Sequence, residues 1–331
     1  MTATGIGSHP GDDAAAYAEA VRVVLGELGS GEGLPYLPEL PGRGPAASLA
    51  GRAVAATADL AFDLQPAGWR LTDREGQDQR RAGSLLAQDL DQVEEQAQGY
   101  RGPFKTQLAG PWTLAATIER PRGDRVLADH GARRELAQAL AEGVRRHVAD
   151  LRRRLPGVDR WVVQLDEPAL PGVLAGRVPT ASGFGRHRSV EPAEASAALG
   201  WVLEAVADAG AEAWVHSCAP GTPLDLLRGA GARGLAVDPT TLAPGDHDTL
   251  AAMLEAGETV VLGVVPSLDP RTLPSDATVV ESVLRWLDMV GLEPTERLLV
   301  SPSCGLAGAS TGWARQALEL ARSAARQLAP G

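Results

Sequence analysis

Short apolar runs alternate along the chain with longer segments in which apolar residues recur at helical spacing. The short runs are rich in Val, Leu, Ala and Ile without strict polar alternation, which is typical of strands buried on both faces. We predict eight strands, at residues 2–8, 58–64, 104–109, 160–166, 212–218, 234–238, 259–265 and 297–303. Helices are predicted at residues 12–29, 131–155, 191–210, 246–257, 275–290 and 311–328.

This alternation predicts the class of fold. Eight strands with helical crossovers is the count of a single (β/α)8 TIM-type barrel. An open doubly wound sheet is the alternative, but eight units in one chain favour closure. We therefore predict an α/β fold in which residues 1–331 form one barrel domain. Residues 31–51 are rich in Pro and Gly, and we predict that they form a long ordered loop.

The composition argues against several classes of protein. The chain has 31 Lys and Arg against 42 Asp and Glu, a net charge of −11. Nucleic-acid-binding surfaces are clusters of Lys and Arg, so an acidic chain with a single lysine, Lys105, argues against a nucleic-acid partner. No apolar run is long enough to cross a bilayer and no secretory signal is visible, so we expect no membrane partner and a cytoplasmic location. Two cysteines far apart in the chain do not indicate a disulfide framework.

Residues with metal-binding chemistry follow the predicted strands, where barrels place their reactive groups. His216 and Cys218 end the fifth strand and share one side of it, because they are two positions apart. Cys304 follows the eighth strand, and Asp238 ends the sixth. Two thiolates, an imidazole and a carboxylate suit Zn²⁺, so we predict a zinc site. The alternative is that both cysteines are small core residues.

Two other groups fall at strand ends. Asp166 and Glu167 follow a buried run that cannot accommodate both acids, so at least one should face the cavity and could hold a substrate ammonium. Alternatively, Asp166 caps a helix beginning near Pro168. After the first strand, Gly7 and Ser8 allow close backbone approach, and their N–H groups could bind a carboxylate.

These residues together resemble the catalytic barrel of cobalamin-independent methionine synthases. The likeness rests on four pieces in family order, at residues 7–10 (Gly-Ser-His-Pro), 110–113 (Gly-Pro-Trp-Thr), 164–170, and 216–218 (His-Ser-Cys) with 304–306 (Cys-Gly-Leu). The resemblance implies a single barrel equivalent to the family's C-terminal half. It implies a zinc-dependent methyltransferase in which the thiol of homocysteine takes a methyl group to give methionine.

The resemblance also implies roles for individual residues. Zinc would be bound by His216, Cys218 and Cys304, with Asp238 where the family usually has Glu. The implied catalytic residues are these three ligands and Asp166. A family carboxylate that follows strand two also meets the substrate amino group, and Asp63 is its counterpart here. The implied substrate-binding residues are Gly7, Ser8, Asp63, Asp166 and Glu167.

The methyl donor is less well defined by the likeness. Relatives that use methyltetrahydrofolate have a Trp shortly after Gly-Pro-x-Thr, whereas residues 114–118 contain none, and a family His-Ser-Pro is replaced by Leu-Asp-Pro at 268–270. The donor would be 5-methyltetrahydrofolate, in its polyglutamate form, or a methylcorrinoid, possibly on a partner protein. One alternative is a corrinoid-protein-dependent methyltransferase that acts on another small thiol. Another is a barrel of the porphyrinogen-decarboxylase type, in which Arg43, Arg52 and Arg70 bind a polyanion without zinc.

Overall fold

The computed structural model describes residues 1–31 and 33–329. Within these residues, seven strands form one sheet in which all neighbouring strands are parallel. From one edge to the other they are β1 (Thr2–Ala3), β9 (Leu298–Pro302), β8 (Thr259–Val265), β7 (Gly234–Val237), β6 (Glu212–Ser217), β5 (Val158–Asp166) and β4 (Gly102–Ala109). The α/β class is confirmed, and the sheet is consistent with a TIM-type barrel.

Helices link most of the successive strands, as parallel strands require. Side-chain oxygens of Asp13, Asp129, Ser275 and Ser310 accept hydrogen bonds from the first turns of four helices, which explains where these helices begin. None of the described helices combines the length and apolar character needed to span a membrane. The helices are α1 (Ala14–Leu28), α2 (Leu49–Ala56), α3 (Gln77–Gln96), α4 (Pro111–Thr117), α5 (His130–Arg154), α6 (Leu170–Leu174), α7 (Pro192–Asp208), α8 (Leu224–Gly229), α9 (Pro244–Glu255), α10 (Asp276–Val290) and α11 (Thr311–Gln327).

The predicted second strand, residues 58–64, does not join the main sheet. Instead, β2 (Ala61–Gln65) and β3 (Gly68–Thr72) form an antiparallel hairpin. The connecting turn contains Pro66 and ends at Gly68, whose φ of 128° favours glycine. A Pro-x-Gly turn between two half-buried runs is a hairpin pattern, and the expectation of a barrel strand here was wrong.

The place between the edge strands β1 and β4 is taken by the extended segment 33–39. Leu34 N donates to Ala3 O (2.8 Å) on one side, and Lys105 N donates to Pro35 O (2.9 Å) on the other. Isolated parallel bridges join the segment to both edges. Its two prolines lack the N–H that a regular ladder needs, which explains why the segment is not a continuous strand.

The predicted loop at residues 31–51 is therefore only partly a loop. Its residue 32 lies outside the described residues. After the extended segment, the chain makes two short 3-10 turns (Pro41–Arg43 and Pro45–Ala47) and enters α2. The Pro and Gly content suggested irregular structure throughout, whereas Leu34 and Leu37 are fully buried as in a strand.

The two faces of β4 point to different surroundings, one toward the helices and the other toward the inside of the sheet. Thr106 is bonded to His147 of the surrounding helix α5 (Oγ1 to Nε2, 3.1 Å). Lys105 and Gln107 alternate with Thr106 and therefore point to the other side, toward the inside of the sheet. Both are fully buried. The interior thus contains polar and charged side chains near the site, in addition to a buried apolar cluster that includes Val162, Trp214 and Leu299.

Candidate metal centre and substrate site

Three side chains with metal-binding atoms meet at the C-terminal ends of β6 and β9. His216 lies in β6, Cys218 directly follows it, and Cys304 follows β9. Their nitrogen and sulfur atoms all lie within 4.8 Å of one another, and His216 Nε2 is 3.9 Å from Cys304 Sγ. The structure therefore brings together the three residues that the sequence placed at strand ends.

The imidazole of His216 is held in one orientation. Its Nδ1–H donates to the backbone carbonyl of Ala236 on the neighbouring strand β7 (3.0 Å), which leaves the Nε2 lone pair facing Cys304. The residue is 4% exposed, and burial lowers the pKa of His216 to about 4. The ring is therefore neutral at pH 7, the form in which an imidazole can bind a metal.

The sulfur atoms of Cys218 and Cys304 lie against each other, with the Cα atoms of the two residues 6.0 Å apart. The two cysteines are distant in the chain, but parallel strands bring their C-terminal ends to the same edge of the sheet. A metal binds thiolates, so in the reduced protein both sulfur atoms are available to one metal ion.

Asp238 does not belong to this group, contrary to the prediction. Its Oδ1 accepts hydrogen bonds from Thr240 N (2.9 Å) and Thr240 Oγ1 (2.6 Å), at the start of a single 3-10 turn (Pro239–Thr241). Asp before Pro commonly forms such a turn, and this local bonding outweighs the role that the resemblance implied. The group consists of three donors.

Asp166, at the end of β5, lies next to the metal-binding group. Its backbone is in register with His216, and Gln164 Nε2 donates to its Oδ1 (2.7 Å). Burial raises the pKa of the Asp166 carboxyl, and the neighbouring Glu39 raises it further, whereas Gln164 and Lys105 act in the opposite direction. A buried acid with one positive neighbour is suited to receive a second cation.

Glu167 is turned away from the site and serves as a helix anchor. Its Oε1 accepts from Trp112 N (2.9 Å), and its Oε2 accepts from the N–H and hydroxyl of Thr113 (both 2.8 Å). The residue is fully buried. Both carboxylate oxygens are bonded to the first turn of α4, so the predicted contact with substrate is replaced by a structural role.

Gly7 and Ser8 lie after β1 at the same end of the sheet. Ser8 O accepts from Leu306 N (2.8 Å), and Gly7 O accepts from Glu39 N (3.1 Å). A side chain at position 305 would overlap the Ser8 hydroxyl unless that hydroxyl moved. This close contact places the Gly7–Ser8 turn beside the loop that holds Cys304.

Asp63 and the three candidate polyanion-binding arginines all have partners elsewhere. Asp63 lies in the β2–β3 hairpin, outside the main sheet, and forms a two-bond ion pair with Arg70 (2.7 and 3.1 Å). Arg43 and Arg52 are both bonded to the buried Asp89. The expectation that Asp63 belongs to the second strand of the barrel sheet is wrong, because residues 33–39 occupy that place.

The comparison with known families decides the assignment. The family model described as the catalytic domain of cobalamin-independent synthases matches residues 90–327, more than two-thirds of the chain. The chain belongs to this family. The matched region includes His216, Cys218 and Cys304, whereas Gly7 and Ser8 lie before it. The family predicted from the sequence is confirmed.

One of the solved structures that are similar to this chain shares its fold at low identity. A B12-independent methionine synthase from Shewanella sp. W3-18-1, solved in complex with selenomethionine, is 14% identical, with a TM-score of 0.63 over 99% of this chain and 97% of that one. A GH5_18 protein from Streptomyces cattleya (13%, TM-score 0.48, 98% and 79% coverage) and a methylaspartate ammonia lyase from Clostridium tetanomorphum (12%, 0.46, 99% and 59%) are more distant. A search of curated proteins returned no match.

Two buried residues of this synthase-family chain were missed as site residues. Glu39, at the end of the extended segment, accepts from Gln107 Nε2 (3.1 Å) and lies 3.3 Å from Arg52 Nε. Lys105 was noted only as the single lysine, yet it is fully buried beside Gln164. A lone lysine inside a predicted strand was the available signal for the second, whereas Glu39 was hidden by the incorrect loop assignment.

Proposed function

We propose that this protein is a zinc-dependent methyltransferase that transfers a methyl group to the thiol of L-homocysteine and forms methionine. The observation that carries the proposal is the convergence of His216, Cys218 and Cys304 beside the Asp166 carboxylate. Membership of the cobalamin-independent synthase family supports the same reaction. The Shewanella neighbour was solved with selenomethionine, an analogue of the proposed product.

The donor set fits zinc. One imidazole and two thiolates are ligands that Zn²⁺ prefers, and three protein ligands leave one tetrahedral position for a substrate. The hydrogen bond from His216 Nδ1–H to Ala236 O is the outer contact that metal-binding histidines usually make. When bound, zinc would lower the pKa of the substrate thiol and make it a better nucleophile at neutral pH. The cysteine pair must be reduced, as it would be in the cytoplasm.

The chain's own residues would hold the amino-acid end of homocysteine. Asp166 lies on the strand next to His216, so one short amino acid can present its ammonium to the acid and its thiol to the metal group. We propose Glu39 as the second carboxylate, in place of Asp63, because Glu39 N donates to Gly7 O (3.1 Å), which places this residue beside the Gly7–Ser8 turn. The Gly7–Ser8 backbone would bind the substrate carboxylate.

The donor is proposed as 5-methyltetrahydrofolate or a methylcorrinoid. Trp112 cannot replace the Trp that folate-using relatives carry, because it is buried and its Nε1–H donates to Ala195 O (2.9 Å). Asp269 stands in the segment that replaces the family His-Ser-Pro, and both its oxygens accept from Ser310 at the start of α11. Neither residue therefore replaces the family residues associated with folate, and both donors are kept as candidates.

The proposal is tested on reduced protein purified with its metal. We expect about one zinc per chain and methionine formation from homocysteine. Methylcobalamin should be compared as donor with methyltetrahydrofolate in mono- and polyglutamate forms. Active protein without zinc, or no methionine with any donor, would contradict the proposal.

A second candidate is a corrinoid-dependent methyltransferase acting on a simple alkyl thiol. The same departures from the folate-using relatives favour it. Its substrate would lack an ammonium, so Asp166 would have no ligand to bind. Competition between homocysteine and an alkyl thiol at equal concentration separates the two: preference for homocysteine supports methionine formation, and preference for the alkyl thiol supports the second candidate.

A further inference from the structure

Lys105 is the single lysine of the chain and is placed where lysine is rarely found. It lies on β4, on the inner side of the main sheet, and is 0% exposed. Its Nζ lies 5.1 Å from the centre of the Tyr36 ring, a distance at which a cation interacts with an aromatic face. A buried ammonium is costly unless it is bonded and charge-balanced, so its contacts should explain why it is there.

The ammonium of Lys105 bonds to both halves of the proposed substrate site. Its Nζ donates to Ile6 O (2.7 Å), directly before the Gly7–Ser8 turn, and to Gln164 Oε1 (2.9 Å). Gln164 in turn donates from Nε2 to Asp166 Oδ1 (2.7 Å) and to Ile6 O (3.1 Å). A continuous set of hydrogen bonds therefore runs from Lys105 through Gln164 to Asp166.

Lys105 fixes the direction of the Gln164 amide in this set. An ammonium can only donate, so the amide must turn its oxygen to Lys105 and its NH₂ group to Asp166. Without that donor, the amide oxygen would lose its partner, and only the bonds of the NH₂ group to Ile6 O and Asp166 would hold the amide in place. The charge of Lys105 also opposes the repulsion between Asp166 and Glu39.

We propose that Lys105 is a positioning residue for homocysteine: through the amide of Gln164 it orients the Asp166 carboxylate that receives the substrate ammonium. The inference rests on the proposed function. It assigns to Lys105 a role in binding the amino-acid end of the substrate, without contact with the reacting sulfur. A lysine that only stabilised the fold would affect stability but not the binding of one substrate over the other.

The test compares Lys105→Met and Gln164→Met with Thr106→Val in the zinc-loaded full chain. Thr106 is the buried neighbour on the opposite face of β4, so its variant controls for loss of a buried polar group on this strand. We expect KM for homocysteine to rise at least about tenfold in both Met variants, with kcat and the KM for the methyl donor changed less. Thr106→Val should leave all three constants close to wild type.

The double variant separates one connected set from two independent effects. If both residues act through Asp166, Lys105→Met with Gln164→Met should raise KM no further than the larger single effect. Two results would overturn the inference. One is a rise in KM in the double variant that equals the product of the two single effects, and the other is an unchanged KM for homocysteine in Gln164→Met. Gln164→Met retains the lysine, so it decides the matter even if Lys105→Met does not fold.

A spectroscopic measurement tests the contact without turnover. Because the chain has one lysine, ¹⁵N-lysine labelling gives a single side-chain Nζ signal in the zinc-loaded protein. Gln164→Met should shift this signal, and Thr106→Val should not; no shift in Gln164→Met overturns the inference. An inactive wild type instead overturns the proposed function, and with it this inference. An active wild type whose Met variants match Thr106→Val overturns the positioning role alone.

Discussion

The metal-binding group and the substrate side of the same rim are built on different principles. In the metal-binding group, His216 needs no buried counter-charge, because its imidazole is neutral and is oriented by a backbone carbonyl. Across the rim, Lys105 and Asp166 are ionisable side chains in the interior that are joined through Gln164, and Lys105 also donates to Ile6 O. The metal-binding group is assembled from residues at strand ends alone. The substrate side forms only when Lys105, Gln164 and Asp166 are hydrogen-bonded to one another.

The difference follows from the free energy of burying charge. An isolated buried ion is strongly unfavourable, so each must be paired and hydrogen-bonded. The pairing continues beyond the site, because Arg52 contacts both Glu39 (3.3 Å) and Asp89 (2.7 Å), and Arg43 also bonds to Asp89. We therefore expect changes on the metal side to abolish chemistry with little loss of stability. Changes on the other side should affect stability or substrate binding.

The largest expected effect is on the metal side. Cys304→Ser removes one of three ligands, so we expect loss of bound zinc and a fall in activity greater than the roughly 10- to 100-fold typical of changes in outer-shell contacts. Metal content measures the loss of zinc, and methionine formation measures the fall in activity. Ser303→Ala is the matched control and should keep both, and zinc retained in Cys304→Ser would break the distinction between the regions.

Arg52→Met tests the buried network. Removing the cation leaves Glu39 and Asp89 short of a partner, so the free energy of unfolding should fall by about 3–5 kcal/mol. Denaturant unfolding measures this, and zinc content of the folded fraction should stay at the wild-type value. The exposed Arg285, paired with Glu281, provides a control. Arg285→Met should change stability by less than about 1 kcal/mol, and an equal loss in both variants would argue against a buried network.

Asp166→Asn should separate substrate binding from metal binding. Loss of the negative charge weakens a charge-assisted bond to the ammonium, so KM for homocysteine should rise about 10- to 100-fold while zinc content is unchanged. Asp159→Asn, at the exposed start of the same strand, is the control. Intact homocysteine binding in Asp166→Asn would favour the alkyl-thiol reaction instead.

A smaller, pH-dependent effect on stability is expected from His147 of α5, which is bonded to Thr106 on the outer face of β4. Burial lowers the pKa of His147 from 6.5 to about 4. The unfolded chain therefore takes up a proton below pH 6.5 that the folded chain does not. The neutral His147 therefore contributes to the free energy of unfolding above pH 6.5, and this contribution is lost as the pH falls toward 4. His147→Gln should reduce the loss of unfolding free energy between pH 7 and 4.5 by about 2–3 kcal/mol. The exposed His130→Gln should not, and equal slopes in all three proteins would contradict the assignment.

The sequence was informative where a pattern was local. The apolar runs at β4 to β9 gave their strands within two residues of the observed ends. The spacing of His216 and Cys218 placed both at one strand end. It was misleading at residues 31–65, where two prolines interrupted a strand-like segment and a hairpin resembled a barrel strand. As a result Asp63 was chosen, and Glu39 was missed.

The sequence by itself determined the alternation of strands and helices, the family, and the residue types available to bind a metal. Only the tertiary structure decided which of these meet: that the two sulfur atoms pair, that Asp238 and Glu167 are used by local turns and a helix end, and that Lys105 reaches Asp166 through Gln164. The physical reason is that strand periodicity is set by neighbours along the chain. The partner of a buried charge is set by strand order and register, which join residues far apart in sequence.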